Sequence, residues 1–165
     1  MLAQQALSTT GVDVRPVDWL ISRTASFLCA LQLGQVVETM RPLPVRRLAH
    51  APAFVRGVSV IRGEPLPVLD LGMLLGDAKV SVGRFVTIKF GEEGRRAALA
   101  VGEVLGIRPI IAAQATAMPP VLRDTDADLV TAIGTLDADL LLFLKTARLV
   151  PEEVWRELAQ EAQTS

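Results

Sequence analysis

The chain has 165 residues, half of them apolar, with 4% aromatics and no tyrosine, so its core must come mainly from Val, Leu, Ile and Ala, a composition that favours short strands. Its 17 basic and 18 acidic residues leave a net charge of −1, which excludes the global field expected of a nucleic-acid-binding or anionic-lipid-binding protein. The single cysteine, Cys29, excludes an internal disulfide, and no apolar run reaches the roughly 18 residues of a membrane span, so the sequence predicts a cytoplasmic domain without membrane insertion.

Residues 1–16 read as a flexible leader that ends at Pro16. VDWLISR (17–23) and FLCALQL (27–33) read as two strands around Thr24, Ala25 and Ser26. GQVVETM (34–40) is expected to form a short helical turn, and RPLPVRRLAHAPAFVRG (41–57) a proline-punctuated connection that cannot continue as a helix. GVSVIRGEPLPVLDL (57–71) is a hairpin with Arg62 and Gly63 in its turn, followed by a helical turn in DLGMLLG closed by Gly76. After a polar link at 77–81, GRFVTIKF (83–90) reads as a strand, GEEGR as a glycine-bracketed turn, and RAALAVGEVLGIRPI (96–110) as a strand entering a bend. TAIGTLDADLLLFL (131–144) is another hairpin, turning at Asp137-Ala138-Asp139. A helix over 151–160 closes the chain, with Pro151 at its first position, Glu152 and Glu153 at the positive end of the dipole, and Val154, Trp155 and Leu158 inward.

The two halves share a rhythm. ALQLGQVVETMRPL (30–43) resembles ALAVGEVLGIRPI (98–110), and VIRGEPLPVLDL (60–71) matches TLDADLLLFLKT (135–146), at offsets of about 67 and about 75 residues. An internal duplication of all-β units follows: two small β-barrels packed together, about 17–80 and 81–150, with exchange of strands between them allowed. The second copy has Asp137 where the first has Arg62, so the hairpin does not need the arginine in order to fold.

Enzymatic chemistry finds little support. The one histidine, His50 in LAHAPAF, has no Cys, Asp or Glu at metal-ligand spacing and reads as a loop residue. RDTDADL resembles the start of a calcium loop, but Leu129 stands in place of the sixth-position glycine and Thr135 in place of the bidentate glutamate. GEEGRR is no phosphate-binding loop, because its glutamates repel an anion. No cofactor is implied. Val36, Val37, Met40, Val86, Val101, Val104 and Ile107 each read as core; taken together they can instead line a groove at the junction of two barrels. Arg62 is either a solvated turn cation or an anchor for a partner, since a guanidinium at a rigid corner loses little entropy on binding.

LCALQLGQVVETMRPLPVRRLAHAPAFVRGVSVIRGEPLPVLDLGMLLG resembles the first half of the CheW family of chemotaxis coupling proteins. The marks are Val36 and Glu38, the approach APAFVRGV, Gly57, Val58, Arg62 and Gly63 at the hairpin, and Pro67, Val68, Asp70 and Leu71 after it. GRFVTIKF and ALAVGEVLGI follow in the family's order, although Val101-Gly102-Glu103-Val104 lacks the aspartate common there. The resemblance implies two SH3-like barrels, no enzymatic activity and a cytoplasmic adaptor at chemoreceptor arrays. Its partners would be the regulatory domain of the histidine kinase CheA and the cytoplasmic tip of methyl-accepting chemoreceptors. Val36, Glu38, Gly57, Arg62, Asp70, Val86, Val104 and Ile107 are the expected partner-binding positions. The alternative is a decoy, or a specialised relative in a non-flagellar pathway, that binds one partner only.

Overall fold

The computed structural model describes residues 15–91, 93–111, 116–117, 129–145, 150 and 152–164; the leader up to residue 14, the acidic stretch 124–128 and Pro151 lie outside the described residues. The chain opens with an antiparallel hairpin of β1 (Val17–Arg23) and β2 (Leu28–Gln32). A 3-10 turn at Leu33–Gln35 leads into β3 (Val36–Met40), so most of the expected helical turn is a strand. The physical reason is that Val36, Val37 and Thr39 are β-branched and the segment pairs with the later strand Arg84–Phe90. β4 (Val55–Ile61) and β5 (Glu64–Asp70) make the second hairpin, and α1 (Leu71–Leu74) follows directly. Next come β6 (Arg84–Phe90), β7 (Arg95–Val101) and β8 (Glu103–Ile110), then a short β9 (Thr116–Ala117). The last hairpin is β10 (Val130–Leu136) with β11 (Asp139–Leu144), and α2 (Glu152–Thr164) ends the described chain.

The strands form two sheets, with orders β8-β1-β2-β11-β10-β9 and β3-β6-β7-β5-β4. Each has one parallel pair at its centre, β2 with β11 and β5 with β7. The single bent strand expected over 96–110 is two strands in different sheets, separated at Gly102. A boundary near residue 80 falls inside the five-stranded sheet, because the chain enters that sheet at β3 and leaves it after β7. The duplication is therefore built crosswise. β2 runs on into an edge strand of the other sheet, β3, and β7 does the same into β8.

Both sheets are apolar on both faces, which is why central strands such as β5 and β7 read as continuous buried runs. One face of the five-stranded sheet holds Ile61, Leu66, Val68, Phe85, Ala98 and Ala100. One face of the six-stranded sheet holds Ile21, Leu28, Ala30, Ile110, Leu141 and Phe143, with Trp19 edge-on to Phe143 at 5.0 Å. Their opposite faces meet in a third and larger cluster that includes Leu20, Cys29, Leu31, Leu69, Val86, Leu99, Val101 and Leu144, with Val154 of α2. The sheets are open rather than fully closed barrels. In the five-stranded one, Arg46 beyond β3 makes a single bridge to Val58 of the far edge strand.

A polar pin complements the shared core. Asp77, on the link from α1 to β6, accepts hydrogen bonds from Thr24 Oγ1 (3.1 Å) and from Ser26 N–H and Oγ (both 2.8 Å), in the β1–β2 turn of the other sheet. Burial works to raise its pKa; the hydrogen bonds from Ala78, Ser26 and Thr24 outweigh that and hold the carboxyl below its ordinary range.

Candidate partner-binding site

Arg62 and Gly63 form the two-residue connection between β4 and β5, with Ile61 paired to Glu64. Both have positive φ, 54° at Arg62 and 80° at Gly63, as a type I′ turn requires. Asparagine, aspartate or glycine suits the first position of such a turn, and arginine does not. The chain nevertheless holds a guanidinium there, with its side chain 75% exposed. Glu38 of β3 fixes its direction: Nε donates to Oε1 at 3.2 Å and Nη2 to Oε2 at 3.1 Å. That hydrogen bond, together with the carboxylate's charge, raises the pKa of the guanidinium further. The pair spans the two edge strands of the five-stranded sheet, so the curl of that sheet is what brings Glu38 to Arg62. Val60, one residue before the tip pair begins, is 65% exposed and gives the corner an apolar flank.

Gly57 and Asp70 build the corner from within. Gly57 has φ 140°, and a Cβ there would collide with the carbonyl of Arg46 and with Val45, so only glycine admits the crossing segment after β3. Asp70 is 0% exposed, which removes it from the surface expected for a partner contact. Its carboxylate accepts from Arg56 Nε (3.0 Å) and Nη2 (2.7 Å), from Met73 N–H (3.0 Å) at the start of α1, and from Val80 N–H (3.2 Å). Arg56 Nη2 also donates to the Val80 carbonyl at 2.6 Å. Asp70 is thus the centre of a buried ion pair that ties β4, β5, α1 and the link to β6 together.

The apolar positions divide. Val86 is 0% exposed and Val101 is buried with it in the shared cluster, so the junction expected to be a groove is a packed core at those positions. Val36 and Val104 are half-buried against the same cluster, one on each outer strand, β3 and β8. Ile107, on β8, is 53% exposed and Leu105 is exposed beside it. Of the expected positions, Glu38 and Arg62 are joined by side-chain hydrogen bonds, while Val36 and Val104 pack against the cluster that contains Val86.

Among the described residues, no group of three or more His, Cys, Asp or Glu is placed to hold a metal ion. Burial, with the charge of Asp77 adding to it, pushes the Cys29 thiol well above its ordinary pKa, which makes it a packing residue rather than a nucleophile. No helix among the described residues is long and apolar enough to cross a membrane.

The family model of the CheW-like domain matches residues 18–154. The chain belongs to the CheW-like family. It is 35% identical over 131 residues to Protein FrzA of Myxococcus xanthus, covering 72% of this chain and 81% of FrzA. The Chemotaxis protein CheW of Klebsiella aerogenes is 25% identical over 112 residues, 66% of either chain. Among solved structures, the scaffolding protein TtCheW of Thermoanaerobacter tengcongensis superposes with a TM-score of 0.71 at 25% identity, over 81% of this chain and 92% of that one. As in a CheW-like domain, the two sheets here are SH3-like subdomains. Sequence reasoning missed Arg56 as the partner of Asp70 and Asp77 as the pin. An aspartate directly before LGM is a readable helix cap, but no local signal gives the distant donors.

Proposed function

We propose that the chain is a non-enzymatic scaffold of chemotaxis-type signalling that holds a CheA-type histidine kinase against the cytoplasmic tip of a chemoreceptor. The observation that carries this reading is Arg62: an exposed guanidinium in a turn conformation that disfavours it, aimed by Glu38 and flanked by exposed Val60. A residue kept where local folding preference opposes it is held for another purpose. In this reading the β4–β5 corner engages the regulatory domain of the kinase, and β8, with Leu105 and Ile107 exposed, gives a receptor helix an apolar edge. Interfaces of this kind are modest in area, so pairwise affinities are micromolar and multivalency in an array supplies the rest. The protein then works in the cytoplasm, localised to arrays through its partners.

Titration calorimetry against the kinase regulatory domain, and then of that mixture against a receptor cytoplasmic fragment, tests the proposal. Both are expected to bind, and autophosphorylation is expected to rise only with all three present. Arg62→Ala weakens kinase activation without changing the melting temperature. Binding of one partner alone identifies a decoy instead.

A further inference from the structure

The stretch from residue 39 to 63 contains Arg41, Arg46, Arg47, Arg56 and Arg62 with no acidic residue, although the whole chain carries a net charge of only −1. Arg62 is spoken for by Glu38 and Arg56 by Asp70. Arg47 and Lys79 have no acidic partner among the described residues and are exposed. Both line a cleft of about 450 Å³ at the start of β4, beside α1. Its floor is aliphatic, with Leu48, Val55 and Met73, and Arg56 lines it with Nη1 uncommitted while Nε and Nη2 hold Asp70. Among the described residues, no carboxylate and no aromatic ring lines it.

We propose that this cleft is a second docking site, separate from the Arg62 corner, for an acidic-aliphatic peptide segment of a protein partner. Aliphatic side chains of the segment fill the floor, and its Asp or Glu side chains meet Arg47, Lys79 and the free face of Arg56. Charge complementarity selects the occupant, and the absence of an aromatic platform tells against a nucleotide base. The cleft and Arg62 stand at opposite ends of β4, about 20 Å apart at roughly 3.3 Å per residue, so both sites can be filled at once.

The test is fluorescence anisotropy with a short labelled peptide of Glu and Leu in amphipathic order, against the same peptide with Lys for Glu, paired with backbone amide shift mapping on the full chain. The Glu peptide is expected to bind, to weaken with added salt, and to shift amides of residues 45–56, 73 and 79. The Lys peptide is not expected to bind. Arg47→Glu with Lys79→Glu lowers affinity by about tenfold or more, while Arg62→Ala leaves it unchanged. Because both reversed residues are exposed, an unchanged melting curve checks that the fold survives. Shifts confined to other surfaces, or equal affinity of the charge-reversed chain, would overturn the proposal. So would displacement of the peptide by inorganic phosphate at equal concentration, or tighter binding to phosphatidylglycerol vesicles lost in the same variant, since these reveal a bare anion site or a membrane-facing surface.

Discussion

The two hairpins of the duplication make a controlled comparison. Each turns through two residues in left-handed backbone, Arg62-Gly63 in β4–β5 and Asp137-Ala138 in β10–β11. Each carries a register shift in its first strand, between Val55 and Gly57 and between Val130 and Ala132. A crossing segment pairs beyond each shift, Arg46 against Val58 and Thr116 against Ile133. At or just beyond the end of each second strand a backbone donor is bonded at 2.7 Å, Asp70 to Phe54 and Lys145 to Leu129. On this common frame the residues differ at Asp70 and Lys145, Gly57 and Ala132, and Arg62 and Asp137. The backbone path survives each exchange, so each difference answers either to local packing or to a partner, and substitution tells which.

The largest effect is expected at Asp70. Asp70→Ala leaves the guanidinium of Arg56 and two amides without their acceptor in a buried site, which lowers unfolding free energy by about 3–5 kcal/mol. Lys145 is exposed, and Lys145→Ala is expected to stay within about 0.5 kcal/mol. Urea denaturation of both variants measures the gap. Equal losses would mean that the two halves are stabilised alike at this position and that the buried pair adds nothing particular to the five-stranded half.

Gly57 comes next. A methyl group at this position meets backbone rather than a flexible side chain, so the Arg46 segment must move, and Gly57→Ala is expected to cost roughly 2–4 kcal/mol. The reciprocal Ala132→Gly only adds freedom to a strand, at about 0.5–1 kcal/mol. If Gly57→Ala proves as mild as its reciprocal in the same denaturation series, the crossing segment is more pliant than its backbone bridge implies.

Much of this is legible in the sequence. The hairpin tips, the duplication and the helical turn at Leu71–Leu74 follow from spacing and turn chemistry, which act over a few residues. What failed to show were properties that depend on the second face of a sheet. Val86 and Val60 are both valines in strands with similar neighbours, yet one is sealed between two sheets and the other stands in water. GQVVETM (34–40) reads as a short helical turn from its own residues, whereas the conformation of Val36–Met40 is set by β6, about fifty residues later in the chain. Asp70 carried a motif, and only its distant partner Arg56 reveals that the motif serves the core.

Asp77 joins the two halves rather than distinguishing them, and its effect is smaller. Asp77→Ala removes four hydrogen bonds at a partly exposed site, for a loss on the order of 1 kcal/mol. Its folded pKa lies below the unfolded value of about 3.9, so its contribution is complete above that value and disappears as pH falls through the folded pKa. Acid titrations of parent and variant are therefore expected to draw together below about pH 4 and to meet once the pH lies under the folded pKa. A gap that persists there would place the stabilisation in packing of the link rather than in the ionised carboxylate.

The smallest effect on stability, and the sharpest separation of fold from function, is expected at Arg62. Arg62→Asn installs the residue that a type I′ turn prefers and gives up an exposed ion pair with Glu38, two changes that oppose each other. The melting temperature should stay at or slightly above that of the parent, as Asp137 in the equivalent turn implies. If the arginine is held for a partner, the same variant weakens binding of the kinase regulatory domain by about tenfold or more, measured by calorimetry. A variant that melts lower and binds normally would give the opposite assignment: Arg62 would then be a clasp between the edge strands, and the asymmetry with Asp137 would belong to the stability of one half.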